Sequence, residues 1–188
     1  MIIRIDDKFI EKWHPKYDEI ENDEKEYQNI LKLVSNNIKN ADTISKPIFI
    51  RILNWKAPRV KGIVELDKFD QYAEAIKRCA NKSILEEEKL AILDDLRGIG
   101  VPVASTILHF MFPKTFPIMD VRTVEVLHCG GYIESDKRDQ KRFVPFRNTI
   151  LNIQHKYPRW SLREIDRALF AYHKINKINI NQKCKNKK

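Results

Sequence analysis

The sequence predicts an all-α protein, a compact bundle of about seven to nine short helices. Three observations predict it. Apolar residues recur three and four positions apart along most of the chain, the spacing that lines one face of a helix. Period-two alternation of useful length, the mark of a half-buried strand, is absent. Helix punctuation, in the form of prolines and capping residues, falls at the edges of the apolar stripes. A chain of 188 residues fits one domain, or two small lobes sharing a core.

In chain order, "KWHPKYD" places Trp13, His14 and Tyr17 where they are expected to pin the N-terminal segment to the core. Tyr27, Ile30, Leu31, Val34 and Ile38 form the first long stripe, and Leu66, Phe69, Tyr72, Ala73 and Ile76 the next. Leu90, Leu93 and Leu96 lead into a glycine-containing joint, beyond which Val103, Ala104, Ile107, Leu108 and Met111 resume the pattern. Pro47, Pro102 and Pro145 suit first-turn positions, where a missing N–H costs nothing. The stretch from Gly130 to Arg142 reads as a polar connection. Phe146, Ile150 and Ile153 follow it, and Ser161 with Glu164 forms a capping box before a last stripe of Leu162, Ile165, Leu169 and Tyr172. Residues 1–175 read as a single helical domain and 176–188 as a basic, disordered tail.

Composition narrows the function. Hydrophobic residues at 43% and aromatics at 10% are those of a folded chain. Thirty-five Lys and Arg against 26 Asp and Glu leave a net charge of +9, which suits a polyanion partner, although base composition and the tail contribute to the excess. Cys79, Cys129 and Cys184 lie far apart with no C-x-x-C pair, so neither a disulfide framework nor a metal cluster is expected, and a reducing cytoplasm is the simplest setting. No apolar run approaches the ~20 residues of a membrane span. A soluble, cytoplasmic monomer is the expectation.

The segment "LRGIGVPVAS" holds two of the chain's five glycines, with Pro102 directly behind them. Across Gly98, Ile99 and Gly100 the chain is expected to turn so tightly that side chains would collide or need positive φ. A cluster of unpaired N–H groups would then point outward at a helix N-terminus, where a phosphate is a natural acceptor. An ordinary helical hairpin that touches nothing has the same glycines.

The run "FPKTFPIMDVRTVEVL", taken with this turn, resembles the helix-hairpin-helix DNA glycosylase superfamily. There, a hairpin of the form L-x-G-h-G, where h is apolar, leads to an aspartate at the head of a following helix. Leu96, Gly98, Ile99 and Gly100 match the hairpin, Ala104 the small residue that lets its helices pack, and Asp120 the acid, twenty residues after Gly100. About forty residues carry the likeness strongly, the rest only in kind. The resemblance implies a helix-hairpin-helix motif in a two-lobed domain with a cleft, double-stranded DNA as partner, and base excision as the activity. It assigns the DNA backbone to Arg97, Gly98, Ile99, Gly100, Val101 and Arg122.

Asp120 would stabilise positive charge on the sugar and help align water, yet an aspartate before "VRTVEVL" is also what a helix N-cap demands. One departure matters. The lyase-competent members carry a lysine where this chain has Pro102, so the resemblance implies a monofunctional glycosylase, with Lys56 and Lys114 the nearest substitutes by context. The four-cysteine iron–sulfur loop of several branches is missing. No cofactor is implied beyond a structural monovalent cation at the hairpin. Base-pocket candidates are Trp55 and Lys56, near Arg59 and Lys61, with Ser105 and His109 on the less apolar side of the helix after the hairpin. Asp166 and Arg167 are expected only to form local pairs. A DNA-binding module without catalysis is the alternative, and a helical protein-interaction domain a third reading.

Overall fold

The computed structural model describes residues 3–185. Nine α-helices and no strand occur among the described residues: α1 (Asp7–Trp13), α2 (Glu24–Ala41), α3 (Lys46–Lys56), α4 (Phe69–Ala80), α5 (Glu86–Asp94), α6 (Val101–Met111), α7 (Val121–Gly130), α8 (Gln140–Lys156) and α9 (Leu162–Lys185). The all-α prediction is therefore met. The chain divides into two compact units, one comprising Met1–Asn22 with Lys114–Lys188, the other Asp23–Pro113.

In the unit spanning Asp23–Pro113, α6 is the central element. Every residue from Val101 to Met111 except Pro102 is buried, and α2, α3 and α5 all pack against it. A helix buried on all sides must find partners for its polar side chains. Ser105 and Thr106 donate to the Pro102 carbonyl at 3.1 and 2.8 Å, and His109 Nε2 is hydrogen-bonded to Tyr27 Oη of α2 at 2.8 Å. The predicted stripe on α2 is the buried one, with Tyr27, Ile30 and Val34 facing inward. A bidentate pair from Arg51 to Glu26, at 2.8 and 2.7 Å, ties α3 to α2 and holds the Glu26 carboxyl below its ordinary pKa of 4.5. Cys79 is buried and free, its thiol pushed up to about 12 by desolvation.

In the other unit α9 is the axis, packed by α7, α1 and α8. Ile165, Ala168, Leu169 and Ala171 are fully buried on it. The N-terminal segment is pinned as expected. Trp13 meets Tyr172 edge-on at 5.1 Å, His14 lies 4.9 Å from Trp160, and the buried Tyr17 lies 5.2 Å from Phe170. Asp7, at the start of α1, accepts from Trp160 Nε1 at 2.8 Å and from Nε and Nη2 of Arg159 at 2.8 and 2.7 Å.

Three details differ from expectation. Pro145 is not in a first turn but inside α8, whose N-cap is Asp139, so the helix forgoes the hydrogen bond that residue 145 would give to Lys141. Helix α9 runs on through Lys185 with a break at Asn176 (φ −112°, ψ 20°), beyond the point where a tail was expected; residues 186–188 of that tail lie outside the described residues. Cys129, at the end of α7, is disulfide-bonded, because separation along a chain does not measure separation in space.

Candidate nucleic-acid interface

The glycine joint is a four-residue turn. Ile99 N–H donates to the Leu96 carbonyl at 3.0 Å, and Gly98, at the third position, has φ +80°. Gly98 is required twice over. A side chain there would be strained by positive φ, and its Cβ would come 2.9 Å from Val64 Cγ2 and 3.0 Å from the Val64 backbone nitrogen. Gly100 has no such constraint. Its φ of −91° is open to any residue, and a Cβ there would meet only Pro102 Cδ at 3.9 Å.

A clamp holds this turn in place. The buried Tyr72 of α4 donates its hydroxyl to the Arg97 carbonyl at 2.9 Å and accepts from Glu65 N–H at 3.1 Å. Residues 63–65 are thus fixed directly behind the turn, and they continue from a 3₁₀ segment, Pro58–Gly62, on which Arg59 and Lys61 are exposed. The sequence offered the basic stretch and the glycine joint as separate features. Tyr72 and Val64 join them; Tyr72 carried no signal beyond its place in an apolar stripe, and Val64 carried none.

The turn leads into α6. Gly100 is the N-cap and is exposed, and no backbone carbonyl among the described residues accepts its N–H or that of Val101. The predicted cluster of outward N–H groups is smaller than expected. Pro102 has none, and those of Val103 and Ala104 are taken by the Gly100 carbonyl at 2.8 and 3.0 Å. Ile99 and Val101 are 2% and 3% exposed, so their side chains belong to the core. Arg97, 69% exposed, lies 3.6 Å from Glu65.

Among the base-pocket candidates, Ser105 and His109 do not line an open surface: they are 0% and 1% exposed. The side of α6 that looked polar in sequence is satisfied internally, by Pro102 and Tyr27. Trp55 and Lys56, at the end of α3, are half-buried. Trp55 packs against Phe110 at 5.4 Å and Tyr27 at 5.8 Å, the outer member of an aromatic group that continues to His109.

In the other unit, Asp120 is the N-cap of α7. Its Oδ1 accepts from Arg122 N–H at 3.0 Å, while its own N–H donates to Thr123 Oγ1 at 3.2 Å, completing a capping box. The Asp120 side chain is 18% exposed, with Arg122 Nη1 3.5 Å from Oδ1. The Arg122 guanidinium lies 4.6 Å from the centre of the Phe170 ring, so Asp120 and Arg122 form one charged pair seated on an aromatic. Lys114 is exposed. Asp166 pairs with Arg163 of the same helix at 2.9 Å, but Arg167 reaches Asp18, which is remote in sequence, and both guanidiniums lie over the Tyr17 ring.

Among the described residues no group of three or more His, Cys, Asp or Glu could hold a metal ion, and no helix is long and apolar enough to cross a membrane. Compared with protein-family models, with curated proteins and with solved structures, the chain matches none.

Proposed function

We propose that the chain is a DNA-binding base-excision protein of the helix-hairpin-helix kind, a monofunctional DNA N-glycosylase that works as a monomer; the disulfide at Cys129 removes the reason to expect a reducing cytoplasm. The observation that carries the reading is the turn at 96–100. An exposed Gly100, whose Cβ position is open, stands at the N-terminus of a helix, three residues after the exposed Arg97, and Val64, which follows the exposed Arg59 and Lys61 in the chain, packs against Gly98. A phosphate approaching Gly100 would meet backbone N–H, the positive end of the α6 dipole and the exposed cation of Arg97. Trp55 and Lys56 remain as the surface candidates for stacking a base and holding its backbone. With Pro102 where a Schiff-base lysine would stand, hydrolysis falls to water, and Asp120 is the carboxylate that would support it.

A second reading is favoured by one observation: Asp120 already works as a helix cap, a role that needs no chemistry. On that reading the chain binds DNA without releasing a base. Anisotropy with a labelled duplex tests binding, and the proposal expects affinity to fall about tenfold or more between roughly 50 and 200 mM salt. A panel of duplexes carrying damaged and mispaired bases tests catalysis. Release by the wild type and none by Asp120→Asn, with DNA affinity kept, supports the glycosylase. Binding with no release from any duplex selects the second reading, and failure to bind overturns both.

A further inference from the structure

We propose that the groove between α4 and α5 docks a basic amphipathic helix from a partner protein. The two helices are joined by residues 81–85 and pack side by side, leaving an open groove of about 810 Å³. Its lining follows one face of each helix. Asp70, Glu74 and Arg78 succeed one another at four-residue steps on α4, and Ile84, Glu88, Ile92 and Leu96 do the same along α5 and its flanks. The lining therefore extends over two to three turns of each helix, a length that suits a short helical partner.

The floor is apolar and shaped for close approach. Ala75 on α4 and Ala91 on α5 face the groove with only a methyl group each, so a helix backbone can settle between the walls while Ile92 and Leu96 meet its side chains. At one end Leu85, next in the chain to Ile84, is 63% exposed.

Charge selects the partner. Asp70, Glu74, Glu88 and Asp95 rim the floor, and none of the four has an ion pair among the described residues, whereas Glu26, Asp139 and Asp166 are paired. Arg78 is the one cation in the lining. A chain with net charge +9 that sets four unneutralised carboxylates around an apolar strip repels duplex DNA at this face and attracts a cationic segment. Leu96 belongs both to this groove and to the glycine turn, so an occupant would sit beside the turn. The groove would take its occupant whether or not the turn binds DNA.

The probe is a labelled helical peptide with leucines at i, i+3 and i+7 flanked by lysines, titrated into the full chain beside a scrambled peptide of identical composition. The proposal expects the amphipathic order to bind about tenfold or more tightly than the scrambled one, and Glu74→Lys with Glu88→Lys to lower that affinity about tenfold or more. Both glutamates are exposed, and a melting curve checks the fold; Glu74→Gln with Glu88→Gln serves if the reversal unfolds the protein. Equal binding of the two peptides, or affinity untouched by the charge changes, overturns the proposal. So does sedimentation showing a dimer that the same changes abolish, because the occupant is then a second copy of this chain.

Discussion

Gly98 and Gly100 look alike in sequence and differ in what the backbone asks of them. Gly98→Ala should cost about 1–3 kcal/mol, because it combines positive φ with a Cβ pressed on the Val64 backbone, and thermal unfolding will register it. Gly100→Ala should cost under about 1 kcal/mol, the difference between glycine and alanine at an N-cap. If Gly100 meets phosphate, the added methyl will nonetheless weaken duplex binding, so affinity and stability part company there. Equal losses of stability at both positions would refute the asymmetry. Asp120 allows a similar separation. Asparagine caps a helix as well as aspartate does, so Asp120→Asn should melt near the wild type, whereas Asp120→Ala should lose about 1 kcal/mol. Base release, if the carboxylate supports it, must fail in both variants. A variant that melts normally and still releases base would leave Asp120 with its cap alone.

At the scale of elements, periodicity made most of the fold legible. The stripes on α2, α8 and α9 mark the buried faces, and Tyr72 and Ile76 of the α4 stripe are buried, because apolar spacing and burial are the same constraint seen from chain and from space. Helix α6 shows where that logic ends. Ser105 and His109 read as a wettable side, but a polar side chain can be buried if it is satisfied, and the partner of His109 is 82 residues away. The candidate interface was legible in the same measure: the need for glycine at 98 and the cap at 120 are local, whereas the Tyr72 clamp is a long-range bond that no local pattern announces. The Arg51–Glu26 bridge between α2 and α3 gives a pH signature. Because the folded Glu26 carboxyl sits below its ordinary 4.5, the unfolded chain takes up its proton first as pH falls. The bridge therefore stabilises fully above about 4.5, and its contribution fades as pH drops through the lower folded value. Denaturant midpoints of the wild type and Arg51→Gln should differ at neutral pH and converge in acid. The partial exposure of the pair keeps the gap small, and a gap that widens in acid would contradict the assignment.

At the scale of the whole molecule, the question is whether the net charge of +9 acts through a defined surface or merely as composition. Both alternatives predict that DNA binding weakens with salt, since any cation that neutralises a phosphate releases counterions. They differ in which cations matter. If the surface around the turn is the contact, Arg97→Ala should lower affinity alike for all sequences and reduce the slope of log K against log salt by about one. Lys39→Ala, an exposed cation in the last turn of α2, should then leave the slope unchanged. Arg97 is a fair choice for the test, because removing it leaves Glu65 paired with Lys68 at 3.1 Å and the Tyr72 bond runs to its backbone, which alanine keeps. Should the two variants lose the same slope, the charge is diffuse and the turn has no special claim on DNA. A loss confined to Arg97 would instead mean that the positive charge is focused where the backbone is most open.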